Sequence, residues 1–244
     1  MPSIKAAYRD LVQVLQTIYD PGEAQSIARI FFEDRFRIYR FDREAVLSAE
    51  QVQALVTAQK RLLQHEPLQY ILGTADFFGL KLKVNPAVLI PRPETEELVD
   101  WILTAHAESS NASLNVLDIG TGSACIPIVL KKQHPQWQVQ ALELSAAALE
   151  VARENAQKYD LSITFWEGSA LESQAWDLLE MQDIIVSNPP YIPPREKPLM
   201  PQQVIAFEPE LALFVDNDDP LLFYRRIAEE AQKKLRLQGW LYYE

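Results

Sequence analysis

Cysteine is almost missing from this sequence. The 244 residues contain one, Cys125, so no disulfide can form within the chain, and a reducing compartment such as the cytoplasm is expected. Histidine is scarce as well. His65, His106 and His134 are scattered without metal-ligand spacing, so no metal centre is expected. No apolar run approaches the roughly 18 residues a membrane helix needs. The stretch from Met1 to Asp10 is polar and charged, which argues against a secretory signal. Basic charge is also in deficit, with 23 Lys and Arg against 34 Asp and Glu, a net of −11. Residues 1–66 are balanced at nine of each sign, so the whole excess falls on residues 67–244. That part repels a phosphate backbone at long range, and no direct nucleic-acid partner is expected.

Apolar residues are plentiful, at 48%, enough for a large core. In residues 1–66 the apolar positions recur at helical spacing: Ile4, Ala7, Leu11, Val14, Leu15 and Ile18. Asp20-Pro21 is a cap-then-proline start for a second helix, to about Arg40. Ser48 and Gln51 have the spacing of a capping box and open a third helix, to about His65. These residues are predicted to form a small helical bundle. In residues 67–91 the pattern changes. Leu80 to Val84 alternates apolar and polar residues after Gly79, which predicts a connector with a short hairpin.

Residues 92–244 open with a helix from Pro93 to about Ala107 and a polar link from Glu108 to Ser113, and then alternate. Strands are predicted at Val116–Ile119, Val139–Leu144, Ser162–Trp166, Asp183–Val186 and Trp240–Tyr243. Helices are predicted at Ala124–Gln133, Ala146–Tyr159 and Leu221–Leu237. Strands alternating with helices imply an α/β fold with a mostly parallel, doubly wound sheet.

Two motifs carry chemistry. Asp118-Ile119-Gly120-Thr121-Gly122-Ser123 ends the first strand, where such sheets bind ligands. A dinucleotide fingerprint needs a third glycine at position 125, which is Cys125, and no phosphate-binding lysine follows. The loop therefore suits a nucleoside ligand without a pyrophosphate. Glu143 ends the second strand, where an acid can accept from both ribose hydroxyls. A glycine turn beside a surface acid is the plainer alternative. The second motif, Asn188-Pro189-Pro190-Tyr191, follows the fourth strand. Two prolines fix the backbone and remove two N–H donors. What remains is carbonyl oxygen beside an asparagine amide and an aromatic ring, an acceptor set for a planar NH2 group. A proline-rich turn is the plainer alternative here.

Taken together these motifs resemble the class I (Rossmann-like) S-adenosylmethionine-dependent methyltransferases that modify planar amino groups. Ile90-Pro91-Arg92-Pro93-Glu94-Thr95-Glu96 and Phe207-Glu208-Pro209 narrow the resemblance to the HemK/PrmC family, protein-(glutamine-N5) methyltransferases of peptide chain release factors. The resemblance implies S-adenosylmethionine as cofactor and S-adenosylhomocysteine as product. Gly120, Thr121, Gly122, Ser123 and Ala124 would lie under its methionine part, Asp118 near its ammonium and Glu143 on its ribose. Asn188 and the carbonyl of Pro189 would receive the substrate amide, with Pro190 beside them and Tyr191 packed on the amide plane. Where the family often has an acid near the adenine, this chain has Ser169 and Ala170. The family continues past the fifth strand with a helix and a closing hairpin. This sequence stops at Glu244, so those elements are expected to be missing.

The N-P-P-Y tetrapeptide also fits adenine-N6 methyltransferases of DNA or RNA, and a cofactor-binding protein without activity is a further alternative. Residues 1–66 are expected to serve substrate recognition. Residues 188–220 hold eight of the 16 prolines and read as a long irregular lid over the substrate.

Overall fold

The computed structural model describes residues 1–109, 112–215 and 219–244, and its chain divides into two units, Met1–Gly73 and Thr74–Glu244. The first unit is helical: α1 Ile4–Leu15, α2 Pro21–Phe36, α3 Ala49–Leu62 and the short α4 Leu68–Leu72. Its core gathers Leu11, Leu15, Phe31, Phe32, Leu47 and Leu62. The capping box at Ser48 is complete: Gln51 N–H donates to the Ser48 hydroxyl at 3.1 Å, and Ser48 N–H donates to the Gln51 side chain at 2.9 Å. α2 ends four residues before the expected Arg40. Arg37 turns left-handed at φ 58°, and Ile38 N–H closes back on Phe32 C=O at 3.1 Å, a local stop that has no glycine to announce it. α4 falls where the sequence predicts connector, and it ends at Gly73, φ 72°.

The second unit begins with the hairpin β1 Thr74–Phe77 and β2 Leu80–Lys83. Then come α5 Pro93–Ala105, β3 Asn115–Ile119, α6 Cys125–Gln133, β4 Gln138–Glu143, α7 Ala146–Lys158, β5 Thr164–Glu167, α8 Ser173–Asp177 and β6 Gln182–Ser187. Of the polar link, Ser110 and Asn111 lie outside the described residues. After β6 come the short helices α9 Gln202–Phe207 and α10 Glu210–Leu213, then α11 Leu222–Lys234 and β7 Leu235–Tyr243.

The sheet is parallel throughout, in the order β5-β4-β3-β6-β7. Neighbouring residues of one strand face opposite layers. Val116, Ile184 and Val186 pack with α5 and α6, whereas Leu117 and Ile185 pack with Trp176 of α8 and Ile227 of α11. Helices on both faces explain why these strands are apolar runs without alternation.

Two sequence readings are corrected. The helix expected to reach Leu237 ends at Lys234, and the strand begins at Leu235, not Trp240. Lys-Lys-Leu-Arg-Leu is compatible with either state, and pairing with β6 decides it. The stretch 188–220 is not structureless. Besides α9 and α10 it holds a 3-10 turn at Pro194–Leu199, and Ile192 bridges to Phe214. Residues 216–218 of that stretch lie outside the described residues.

Asn155 of α7, fully buried, holds the hairpin and the glycine-rich loop together. Its side chain accepts from Lys83 N–H at 2.6 Å and donates to Lys83 C=O at 2.9 Å and Ser123 C=O at 3.0 Å. Asn155→Ala should destabilise the protein by roughly 1–3 kcal/mol for each buried group left unpaired. A urea unfolding midpoint equal to that of the wild type would show the three bonds to be energetically idle.

Candidate active site

In the sheet order, the chain moves outward from β3 through β4 to β5, and then crosses to β6 on the other side of β3. The loops after β3 and β6 therefore leave the same edge of the sheet in opposite directions, opening a crevice at the carboxyl ends. Register brings them level. Ile119 pairs with both Leu142 and Ser187, and the Ser187 hydroxyl donates to Ile119 C=O at 2.8 Å. A cavity of about 350 Å³ lies there, lined on one side by Gly120, Gly122, Glu143, Ser169 and Ala170, and on the other by Asn188, Pro189 and Pro190. Residues more than 60 positions apart thus share one cavity.

Gly120 and Gly122 take positive φ, 74° and 53°, and a Cβ on either would meet open space. The loop therefore requires glycine for its backbone conformation, and the missing side chains leave the peptide open to a ligand. Ala124 is also left-handed, φ 63°, at the entrance to α6. Glu143 anchors the loop: Oε2 accepts from Gly122 N–H and Oε1 from Ser145 N–H, both at 2.9 Å. An ionised carboxylate has about four acceptor positions, so two remain for ligand hydroxyls.

Asp118 does not line the cavity. It is 1% exposed beneath the loop, and neither carboxyl oxygen has a hydrogen-bond partner among the described residues. Burial pushes its pKa up to about 7. The neighbouring Thr121 hydroxyl, which falls short of hydrogen-bond geometry, draws it down, and the Glu143 charge raises it slightly. Thr121, Ser123 and Ala124 are likewise buried behind the lining.

At the third strand end, Gly168 is fixed by packing: a Cβ there would lie 2.8 Å from Ala175 Cβ. The buried Trp176 donates its indole N–H to Ala170 C=O at 2.9 Å, which holds the Ser169–Ala170 turn.

On the opposite side, Asn188 Nδ2 donates to the buried Thr95 Oγ1 at 3.4 Å. Tyr191 is 50% exposed and is not part of the lining. The aromatic rings that do line the cavity are Phe214 and Phe223. Sequence reading missed these two, along with Val88, Leu142, Leu144 and Leu211. It also missed why the two outer motifs belong together. Glu208, with its side chain only 2% exposed, binds Arg92 Nη2 at 2.6 Å and accepts from Ile90 N–H at 3.4 Å. This bond pins the segment carrying α9 and α10 to the Ile90–Arg92 stretch across 116 residues.

The residues present fit a nucleoside-bearing cation: an open glycine backbone, an acid with spare acceptors and a buried carboxylate without a partner. Residues 6–73 match the PrmC N-terminal domain and residues 100–206 the methyltransferase small domain. With the sheet and the cavity, the latter match defines the second unit as a class I methyltransferase. Among solved structures, the hMettl16 catalytic domain in complex with MAT2A 3'UTR hairpin 6 shares the fold. It has a TM-score of 0.52 and 19% identity, over 78% of this chain and 66% of that one.

Similarity to curated proteins is higher. The release factor glutamine methyltransferase of Flavobacterium psychrophilum is 44% identical over 99% of this chain and 86% of its own length. That of Bacteroides thetaiotaomicron is 42% identical over 95% and 83%. The chain belongs to the release factor glutamine methyltransferase family.

Asp118 generates a prediction about pH. Between its ordinary value of 3.8 and about 7, the folded protein keeps a proton that the unfolded chain has released. This group's stabilising contribution is therefore complete below about pH 4 and is lost as pH rises through 7. Asp118→Asn should remove that slope and leave the ligand-free protein more stable than wild type at about pH 8, by a few kcal/mol. Parallel stability-against-pH curves for the two proteins would contradict this.

Proposed function

We propose that this chain transfers a methyl group from S-adenosylmethionine to the side-chain amide nitrogen of the glutamine in the Gly-Gly-Gln motif of peptide chain release factors. The observation that carries the proposal is the shared cavity, with the Gly120–Gly122 backbone and Glu143 on one wall and Asn188 and Pro189 on the other. Gly120 and Gly122 would lie against the methionine part, Glu143 would accept from the ribose hydroxyls, and Ser169 and Ala170 would flank the adenine. Asp118, ionised, would supply buried negative charge below the loop. When bound, S-adenosylmethionine supplies an electrophilic methyl on a positively charged sulfur.

The remaining work falls to the second motif. A glutamine side-chain nitrogen is a poor nucleophile because its lone pair is delocalised into the carbonyl. The Asn188 side-chain oxygen and the Pro189 carbonyl accept its two N–H bonds and hold the lone pair in line for attack, which lowers the entropy cost of reaching the reactive geometry. The same two acceptors stabilise positive charge as it develops on nitrogen. A neutral amide suffices beside a cation, and the proton leaves to water after transfer. Phe214 and Phe223, with Pro189 and Pro190, give the cavity apolar walls that exclude competing water. Residues 1–66 would recognise the folded release factor, in the cytoplasm. An adenine substrate is disfavoured by the acidic excess on residues 67–244.

The proposal is tested by methyl transfer from labelled S-adenosylmethionine to a purified release factor, with a variant of that factor lacking the glutamine as control. Glu143→Ala should weaken S-adenosylhomocysteine binding by roughly 1–3 kcal/mol. Unchanged affinity in calorimetry would remove Glu143 from the ribose. Asn188→Ala should lower turnover about 10²–10³-fold with little change in thermal unfolding. Asn188→Asp keeps an acceptor but adds charge beside the sulfonium, so activity should fall while cofactor affinity is kept or raised. If Asn188 only forms the turn, aspartate replaces it well and activity stays normal.

A further inference from the structure

An asparagine amide has two ends of nearly equal shape and opposite hydrogen-bonding sense. The mechanism requires the oxygen to face the substrate, and nothing within Asn188 enforces that choice. The enforcement comes from two elements distant in sequence. Thr95, in the first turn of α5, is 3% exposed and takes the Asn188 Nδ2–H at 3.4 Å. Glu244 follows β7, and its N–H donates to Ser187 C=O at 3.2 Å, which seats it beside the start of the Asn188 turn. Burial raises the pKa of its carboxyl, and the nearby Thr95 and Asn188 side chains draw it back down, while its Oε2 atom is buried without a hydrogen-bond partner among the described residues.

We propose that Thr95 and Glu244 are positioning residues that lock the Asn188 amide with Nδ2 toward themselves and Oδ1 toward the cavity, so that Asn188 offers the substrate only an N–H acceptor. This rests on the reading of Asn188 as the amide acceptor. An ionised carboxylate accepts and never donates, so it selects the NH2 end of Asn188. The reversed amide would set Oδ1 against the carboxylate in a buried setting, where two facing acceptors repel strongly. The Thr95 hydroxyl completes the arrangement, because it can donate to the carboxylate and accept from Nδ2 at once. In the cavity the result is chemical selectivity: a planar group with hydrogens on nitrogen is bound, and a carboxylate of the same shape is repelled. The arrangement also gives Thr95, within the Arg92-Pro93-Glu94-Thr95-Glu96 segment, a function at a site it does not line.

The test is a double-mutant cycle read by single-turnover methyl transfer to a release factor, with S-adenosylhomocysteine affinity and thermal unfolding measured alongside. Glu244→Ala and Thr95→Val should each lower the rate by roughly 10–100-fold, the scale of a reactive group held out of line. Affinity for S-adenosylhomocysteine should be unchanged. Thr95→Ser should recover most of what Thr95→Val loses. In an Asn188→Ala background neither change should lower the rate further, because the group they position is gone. Glu244→Gln keeps the shape but can donate, so it should lose activity partially. It carries the same cycle if Glu244→Ala does not fold.

Wild-type rates in Glu244→Ala and Thr95→Val would overturn the inference. So would losses that multiply with that of Asn188→Ala, as a general structural defect would. A crippled Asn188→Ala beside normal Glu244 and Thr95 variants sinks this inference alone, whereas wild-type turnover in Asn188→Ala sinks the acceptor reading and this inference with it.

Discussion

The site depends on β3 and β6 ending at the same level, with Ile119 opposite Ser187 and the Ser187 hydroxyl closed onto the Ile119 carbonyl. A parallel ladder slipped by one residue would turn every side chain of β6 to the other layer, against helices packed around different side chains. The two-layer packing of Ile184, Ile185 and Val186 makes such a slip costly. Core packing thereby sets the positions of Gly120 and Asn188, one residue beyond each strand. The cavity needs no further design than two loops leaving neighbouring strand ends in opposite directions.

Around that frame, buried polar groups do the aligning. Glu143 spends two of its acceptor positions on loop amides, Asn155 ties the hairpin to Ser123, and Trp176 holds the Ala170 carbonyl. Glu208 fastens the segment after β6 to Arg92. Each would destabilise the fold if it lacked its partner, so each fixes one position of its loop. Asp118 differs from these four, because both of its carboxyl oxygens are buried without a partner among the described residues. An orphaned buried carboxylate beneath an open glycine backbone is the feature that a cationic ligand would relieve.

The parts legible in the sequence were the local ones. Strand-helix alternation, the capping box at Ser48 and the motifs at Gly120 and Asn188 are written in contiguous residues whose meaning does not depend on distant partners. The bond between Glu208 and Arg92 joins two quoted motifs, but no local pattern states that they meet. α9 and α10, six and four residues long, are too short for a helical period to appear. The end of α11 is not legible in the sequence, because an amphipathic Lys-Lys-Leu-Arg-Leu run carries no stop signal and pairing with β6 decides its state. The resemblance implies Tyr191 at the substrate plane, and the structure leaves its ring half exposed outside the cavity lining. The rings lining the cavity are Phe214 and Phe223, from segments whose approach is tertiary.

The central claim is that one cavity holds the cofactor and a glutamine amide together, with Asn188 and Pro189 as acceptors. A crystal structure of the chain with S-adenosylhomocysteine and a Gly-Gly-Gln peptide tests it most directly. The account predicts the glutamine nitrogen within about 3 Å of both the Asn188 side-chain oxygen and the Pro189 carbonyl, its free face toward the cofactor sulfur. A peptide bound elsewhere, or a glutamine presenting its carbonyl to Asn188, would contradict the account.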